Sequence, residues 1–120
     1  TGLLAKRLAS LAKGLATYAD TLGAEEWRNT TVVVISEFGR TMKENGNKGT
    51  DHGFGTVYWI LGGGPRKPAI TGHQTDVSAD TLHQERDYPV LNSLDSVLAP
   101  LLSQQWGVHK SLIQKSVFGA

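Results

Sequence analysis

Two short stretches of the sequence carry side chains that could do chemistry, and one polar loop joins them. The first, SEFGRT, contains Glu37 and Arg40; the second, GTDHGFG, contains Asp51 and His52. Carboxylate oxygens and an imidazole together suit a divalent ion such as zinc, manganese or iron. The sequence therefore predicts a metal site made by Glu37, Asp51 and His52. Arg40 is the candidate catalytic residue, because a guanidinium can direct its fork of N–H donors at a phosphate or sulfate group.

Each of these residues also has an ordinary interpretation. Glu37 can pair with Arg40 or be solvated at the rim of a sheet, where an exposed ion pair contributes little. Asp51 can accept a hydrogen bond within its own turn and leave His52 exposed. Arg40 can equally be a salt-bridge partner of Glu37 or Asp51. Neighbouring side chains of a strand point to opposite faces, so Asp51 and His52 converge on one ion only if the adjacent glycines turn the chain.

The elements that must position these residues follow from hydrophobic periodicity. Apolar residues recur every three or four positions over residues 4–22, which predicts a helix with one buried face that Gly23 closes. Residues 30–35 and 56–61 are nearly continuous β-branched, aromatic and aliphatic runs, typical of strands covered on both faces of a parallel sheet. Ligands of open α/β sheets bind beyond the carboxyl ends of the strands, and Glu37 lies at such an end.

The remainder of the chain contains one further clear helix. The second predicted strand stops at the glycines and proline of residues 62–65, and a mostly irregular stretch follows. Asn92 or Ser93 can cap a helix that Pro100 is expected to kink or end. A short turn over residues 112–118 finishes the chain.

The composition excludes several classes of partner and site. The 120 residues carry a net charge of +1, which gives no footprint for nucleic acid or an anionic membrane. No cysteine is present, so any metal must be held by oxygen and imidazole. No stretch approaches the roughly 20 apolar residues of a membrane span.

The number of predicted strands is too small for a complete domain. Two strands do not form a stable parallel sheet alone, because each needs neighbours for its ladder and helices over its faces. We therefore expect residues 1–120 to be a single partial domain. Its partner is expected to be a missing N-terminal part of the same protein or another copy of the chain.

Three motifs in consistent order resemble one known family. They are SEFGRT, then GTDHGFGTVYWILGGG, then RDYPVL followed by the apolar helix that ends near SVFGA. They cover nearly the whole chain and look like the C-terminal part of the bacterial domain-of-unknown-function family fifteen-hundred-and-one, which is grouped with the sulfatase and alkaline-phosphatase superfamily. The resemblance implies an α/β fold in which this chain is the C-terminal fragment of a three-layer αβα domain with a mostly parallel sheet.

The resemblance also implies a function. Glu37 looks like the superfamily's acidic metal ligand, Asp51 and His52 look like the later ligand pair, and Phe38 stands where a histidine is expected. The implied activity is metal-dependent hydrolysis of small anionic phosphate or sulfate esters, with zinc among the candidate metals. The nucleophile would lie outside this chain, and Arg40 would help neutralise the developing charge.

Two further expectations follow from the same likeness. Family members often carry a twin-arginine export signal, which implies a periplasmic or exported location. The alternative function, favoured by Phe38, is a non-catalytic exported binding or surface protein that has retained the fold.

Overall fold

The computed structural model describes residues 2–63 and 69–119, and the chain divides into two compact units. The first unit contains the chain up to Val34 and the segment that begins at Trp59. The second contains residues 35–58 and the segment that begins at Ala69. Helices and small antiparallel sheets occur together, which confirms the mixed α/β class.

The first unit begins with a long helix, α1, which spans Leu3–Arg28. Gly23 interrupts it with φ 77° and ψ 172°, a backbone conformation that residues with a Cβ rarely adopt, and the helix then resumes. The predicted helix end is therefore an interruption. In α1, all of which is described, no residue is buried. The face predicted to be buried is therefore only partly covered: Leu15 and Leu22 are half-buried, whereas Leu11 and Tyr18 expose 40% and 48% of their accessible surface.

The two longer strands form a pair in the same unit. Strand β1, Thr31–Val34, pairs with β4, Trp59–Gly62, so that Thr31 lies opposite Gly62. The pairing is antiparallel, which corrects the expectation of a parallel arrangement for these strands. A parallel pair needs a crossover connection, usually a helix. Residues 35–58, all of them described, contain no helix, and the chain returns in the opposite direction.

Gly63 joins the end of β4 to the end of α1. Its N–H donates to the carbonyl of Trp27 at 2.9 Å. A Cβ at this position would lie 2.7 Å from Trp27 C and Arg28 N, so only glycine fits without a shift of the backbone. The predicted turn continues beyond this point, but residues 64–68 lie outside the described residues.

The described part of the second unit contains two very short strands and two helices. The strands are β2 at Gly39–Arg40 and β3 at His52–Gly53, and the helices are α2 at Leu94–Trp106 and α3 at Lys110–Val117. Helices α2 and α3 pack together, and the buried apolar residues of the unit's described part, Ala99 and Ile113, lie on them. Within the part of the chain that the structure describes, no helix is long and apolar enough to cross a membrane.

Helix α2 tests the sequence-based boundaries. Its N-cap is Ser93, one of the two residues expected there, although the side chain makes no capping hydrogen bond to the helix backbone. A hydrogen bond with the Ser93 side chain is the main cause that lowers the pKa of Asp95 in the first turn. The helix continues through the exposed Pro100, so the expectation that this proline could end it is wrong. A proline removes one backbone donor, and the remaining turns carry the helix to Gly107, whose left-handed backbone (φ 66°) ends it.

A pair of glycine substitutions tests the packing of the first unit. Gly63→Ala should lower the free energy of unfolding by about 1–3 kcal/mol, because the added methyl group meets backbone atoms that cannot move aside easily. Gly14→Ala is the control, since Gly14 lies in α1 with nothing within 4 Å of its Cβ position. It should raise helix stability by about 0.5–1 kcal/mol. Urea denaturation measures the free energy of unfolding of both variants. A Gly63→Ala variant that is as stable as Gly14→Ala would contradict the proposed packing.

Candidate functional site

The candidate residues lie on a small hairpin in the second unit. In the antiparallel pair of β2 and β3, Gly39 lies opposite Gly53 and Arg40 lies opposite His52. Directly opposed side chains lie on the same face of such a pair, and residues two apart along a strand share a face. The hairpin therefore has an outer face and an inner face with different compositions. The outer face consists of Phe38, Arg40 and His52. The inner face consists of Gly39, Thr41, Asp51 and Gly53.

The outer face presents a guanidinium and an imidazole to solvent. The rings of Phe38 and His52 are stacked, with centroids 3.9 Å apart and planes 26° apart. Arg40 Cζ lies 5.9 Å from the centroid of the Phe38 ring, and Arg40 Nη1 donates to the carbonyl of Thr50 at 3.0 Å. All three side chains of the face are exposed. These contacts hold the cation and the imidazole next to each other while leaving them accessible.

The inner face is covered by residues 86–89 and by the hairpin's own continuation. A Cβ on the buried Gly39 would overlap the carbonyl of Gly55, and a Cβ on Gly53 would lie 2.7 Å from Asp87 Oδ1. Gly55 N donates to the carbonyl of Tyr88 at 2.8 Å. Gly39, Gly53 and Gly55 are therefore required for close approach of neighbouring chain segments.

Asp51 is engaged on the inner face. Its main chain is tied to Thr41, since Thr41 N donates to Asp51 O at 3.2 Å and Asp51 N donates to Thr41 Oγ1 at 3.1 Å. Its carboxylate accepts a hydrogen bond from Asn45 Nδ2 at 2.8 Å and lies 4.0 Å from Arg86 Nη1. Asp51 and His52 thus leave opposite faces of the hairpin and contact different partners.

The sequence comparisons decide the family. The sequence model of the family described as "Protein of unknown function (DUF1501)" matches residues 2–117 of the chain. The chain belongs to the DUF1501 family. This confirms the membership predicted from the motifs, whereas the grouping with sulfatases and alkaline phosphatases stays an expectation. No curated protein and no solved structure matches the chain significantly.

The predicted metal ligands of this DUF1501 protein fit a metal in donor type and disagree with it in placement. Glu37 is exposed in the bend before β2, and His52 is exposed on the outer face. Asp51 lies on the inner face, bonded to Asn45. Within residues 2–63 and 69–119, no group of three or more histidine, aspartate or glutamate side chains is arranged to hold a metal ion. The three-ligand site stays a prediction.

Sequence reasoning did not predict the burial of Asp87, the most deeply buried carboxylate among the described residues of the DUF1501 chain. Asp87 has no exposed surface, and neither carboxylate oxygen accepts a hydrogen bond from any described residue. Among the described residues it pairs with Arg86, whose Nε lies 3.5 Å from Asp87 Oδ2. The main chain of Asp87 exchanges two hydrogen bonds with His83, which closes a local turn. The only signal in the sequence was the charged pair before an aromatic residue and proline in RDYP.

The remaining histidines have separate surroundings. His83 makes an edge contact with Phe54, with ring centroids 5.1 Å apart. His109 caps α3 by accepting a hydrogen bond from Ser111 N at 3.4 Å. His73 is exposed, and its main chain donates to and accepts from the side chain of Asn92.

A matched pair of glycine substitutions in this hairpin tests the inner face. Gly53→Ala should lower the free energy of unfolding by about 1–3 kcal/mol, because its methyl group meets the buried Asp87 carboxylate and the Arg40 main chain. Gly46→Ala, in the same loop with nothing within 4 Å of the Cβ position, should change it by no more than about 0.5 kcal/mol. Chemical denaturation of the two variants gives the comparison. Equal effects would show that Gly53 is not closely covered.

Proposed function

We propose that this DUF1501 protein is a metal-dependent, hydrolase-like protein that acts on phosphate or sulfate esters. In this proposal the outer face of the hairpin binds the anionic group of the substrate. The observation that carries the proposal is the register of the hairpin, which sets Arg40 opposite His52 on an exposed face. A guanidinium beside an imidazole offers several N–H donors to the oxygens of a tetrahedral anion.

The distribution of charge over the hairpin supports an anionic ligand. The carboxylates of Asp51 and Asp87 face Arg86, on the side away from the outer face. Arg40 instead donates to a neutral carbonyl, that of Thr50, which fixes the guanidinium without cancelling its charge. A site with a fixed, uncancelled cation binds anions with little cost of reorganisation. In the proposed reaction, Arg40 neutralises the charge that develops on the transferring group.

A divalent metal such as zinc is part of the proposal because of the family resemblance. When bound, such an ion would supply Lewis-acid polarisation of the ester. Glu37 and His52 are exposed donors of suitable type, whereas Asp51 would have to leave Asn45 and Arg86 to join them. The three side chains do not fit one ion in their present placement, so we assign no step of the reaction to a metal.

The wider architecture is also proposed. The proposed architecture is a three-layer αβα domain with a mostly parallel sheet. In such a sheet, one strand of the antiparallel pair β1 and β4 would run against the other strands, which is a common arrangement. The exposed apolar stripe of α1 supports a covering partner, either the N-terminal part of the same protein or another copy of the chain. The resemblance further supports a periplasmic or exported location.

A non-catalytic exported binding or surface protein is the second candidate. The observation that favours it is Phe38, which stands where the superfamily has a histidine and stacks on His52. An aromatic ring on one face of the imidazole restricts the directions from which the imidazole can be approached.

Removal of the Arg40 charge tests the anion site. Arg40→Gln should weaken binding of inorganic sulfate or phosphate to the full-length protein by roughly 10- to 100-fold, the amount expected for hydrogen bonds to a charged group. Isothermal titration at constant ionic strength measures the dissociation constant. Lys43→Gln is the control, because Lys43 is an exposed cation in the same loop. If both variants lose affinity equally, the binding is non-specific and the proposed site is wrong.

Metal content separates the two candidate functions. Under the hydrolase proposal, elemental analysis of the full-length protein should find about one or two equivalents of a divalent metal, which His52→Ala should remove and His73→Ala should retain. Full-length protein that binds sulfate through Arg40 but contains no metal, with stability unchanged in the His52 variant, would instead favour the non-catalytic binding protein.

A further inference from the structure

Arg86 lies between two carboxylates of very different environment. Its Nε is 3.5 Å from Oδ2 of the fully buried Asp87, and its Nη1 is 4.0 Å from Oδ2 of Asp51, whose side chain is 54% exposed. An exposed pair at this distance contributes little by itself. A buried carboxylate without hydrogen-bond donors is different, because its charge depends on a nearby cation, and among the described residues Asp87 is paired with Arg86. The position of Arg86 is therefore fixed mainly by Asp87.

The same residues join the hairpin to the segment beneath it. The carbonyl of Arg86 accepts a hydrogen bond from Met42 N at 2.9 Å, directly after the inner-face residue Thr41. The carboxylate of Asp87 lies under Gly53, directly after His52. Both sides of the hairpin thus contact residues 86 and 87, through Met42 on one side and Gly53 on the other. Gly53 directly follows His52 of the outer face.

We propose that Asp51, Arg86 and Asp87 form a charge clamp that fixes the orientation of the outer face, and that Asp51 is a positioning residue of the anion site and not a metal ligand. The role in anion binding rests on the proposed function; the clamp itself does not. The clamp accounts for the engagement of Asp51 by Asn45 and Arg86 and for its place on the face opposite His52. It also gives the buried Asp87 a function that its lack of hydrogen-bond partners otherwise leaves unexplained.

A double-mutant cycle on the full-length protein tests the clamp. The variants are Asp51→Asn, Arg86→Gln and the two combined, with Asp80→Asn as a control for loss of an exposed carboxylate in the same unit. The first readout is hydrogen exchange of the Thr41 and Met42 amides, which donate to the main-chain carbonyls of Asp51 and Arg86. Each single variant should lower the protection of these amides by about tenfold. The double variant should lose no more protection than the single variant with the larger loss, because the residues act as one network.

The second readout follows the outer face itself. The stacked Phe38 ring should shift the ring-proton resonances of His52, and at fixed pH these resonances should move in the Asp51 and Arg86 variants while remaining unchanged in the Asp80 control. A residue that only stabilises the fold would leave the spectrum of the folded state as it is. Sulfate affinity should fall in the same variants, to a smaller extent than in Arg40→Gln.

Other outcomes overturn the inference. Additive losses of protection, or a His52 signature that does not move, would show that no clamp positions the face. Loss of bound metal in Asp51→Asn with unchanged amide exchange would identify Asp51 as a metal ligand. If Arg86→Gln does not fold, Arg86→Lys keeps the charge that Asp87 needs and loses the fork, so partial loss is expected and wild-type values in both readouts contradict the clamp. Absence of sulfate binding in the wild-type protein would sink the proposed function, while hydrogen exchange would still decide the clamp.

Discussion

The absence of a side chain at Gly39 and Gly53 is the constraint on which the candidate site depends. The two glycines oppose each other in the hairpin, and each faces a neighbour so close that a methyl group would not fit. Close contact on this side commits the alternate positions to the other side. Because side chains alternate along a strand, Phe38, Arg40 and His52 must face outwards once the glycines face inwards. The accessibility of the charged residues is thus a consequence of packing beneath them.

The same alternation separates the charges of the hairpin into two groups. The inner group contains two carboxylates and Arg86, and the buried Asp87 keeps that guanidinium close. The outer group contains Arg40, whose side chain donates to an uncharged carbonyl. In a flexible loop, Asp51 could pair with either arginine. In this hairpin the register assigns Asp51 to Arg86, which leaves Arg40 available to an external anion.

Local patterns predicted the longer elements of this protein, but they gave a short turn over residues 112–118 where helix α3 forms. Pairing between distant segments was beyond them. Hydrophobic periodicity located both longer strands and the part of α1 that precedes Gly23. Gly23 was expected to end this helix and only interrupts it, and Ser93 is one of the two residues expected to cap α2. The direction of pairing between β1 and β4 was missed because a buried apolar run reads the same in parallel and antiparallel sheets. The family followed from motif order, which requires no knowledge of pairing.

The candidate site shows the same limit more sharply. The motifs selected Arg40, Asp51 and His52 as candidates at two ends of one polar loop, and the glycines around them were attributed to turns; that these residues pair in a hairpin was not predicted. Which face each side chain occupies depends on a register that shifts every assignment when it slips by one residue. Asp87 was missed for a related reason, since an aspartate in a polar stretch shows no sign of burial until the segment that covers it is known.

Phe38 contributes to the outer face through its ring and not through a donor atom. A histidine at this position could donate a nitrogen to a metal, whereas phenylalanine provides only a ring face and edge. In this hairpin the ring lies against His52 and within reach of Arg40, so it restricts both side chains through stacking and a cation–π contact. A ligand is exchanged for a platform. Under the proposed function, this arrangement favours binding of an anion by preorganised cationic groups, because preorganisation lowers the entropy cost of binding.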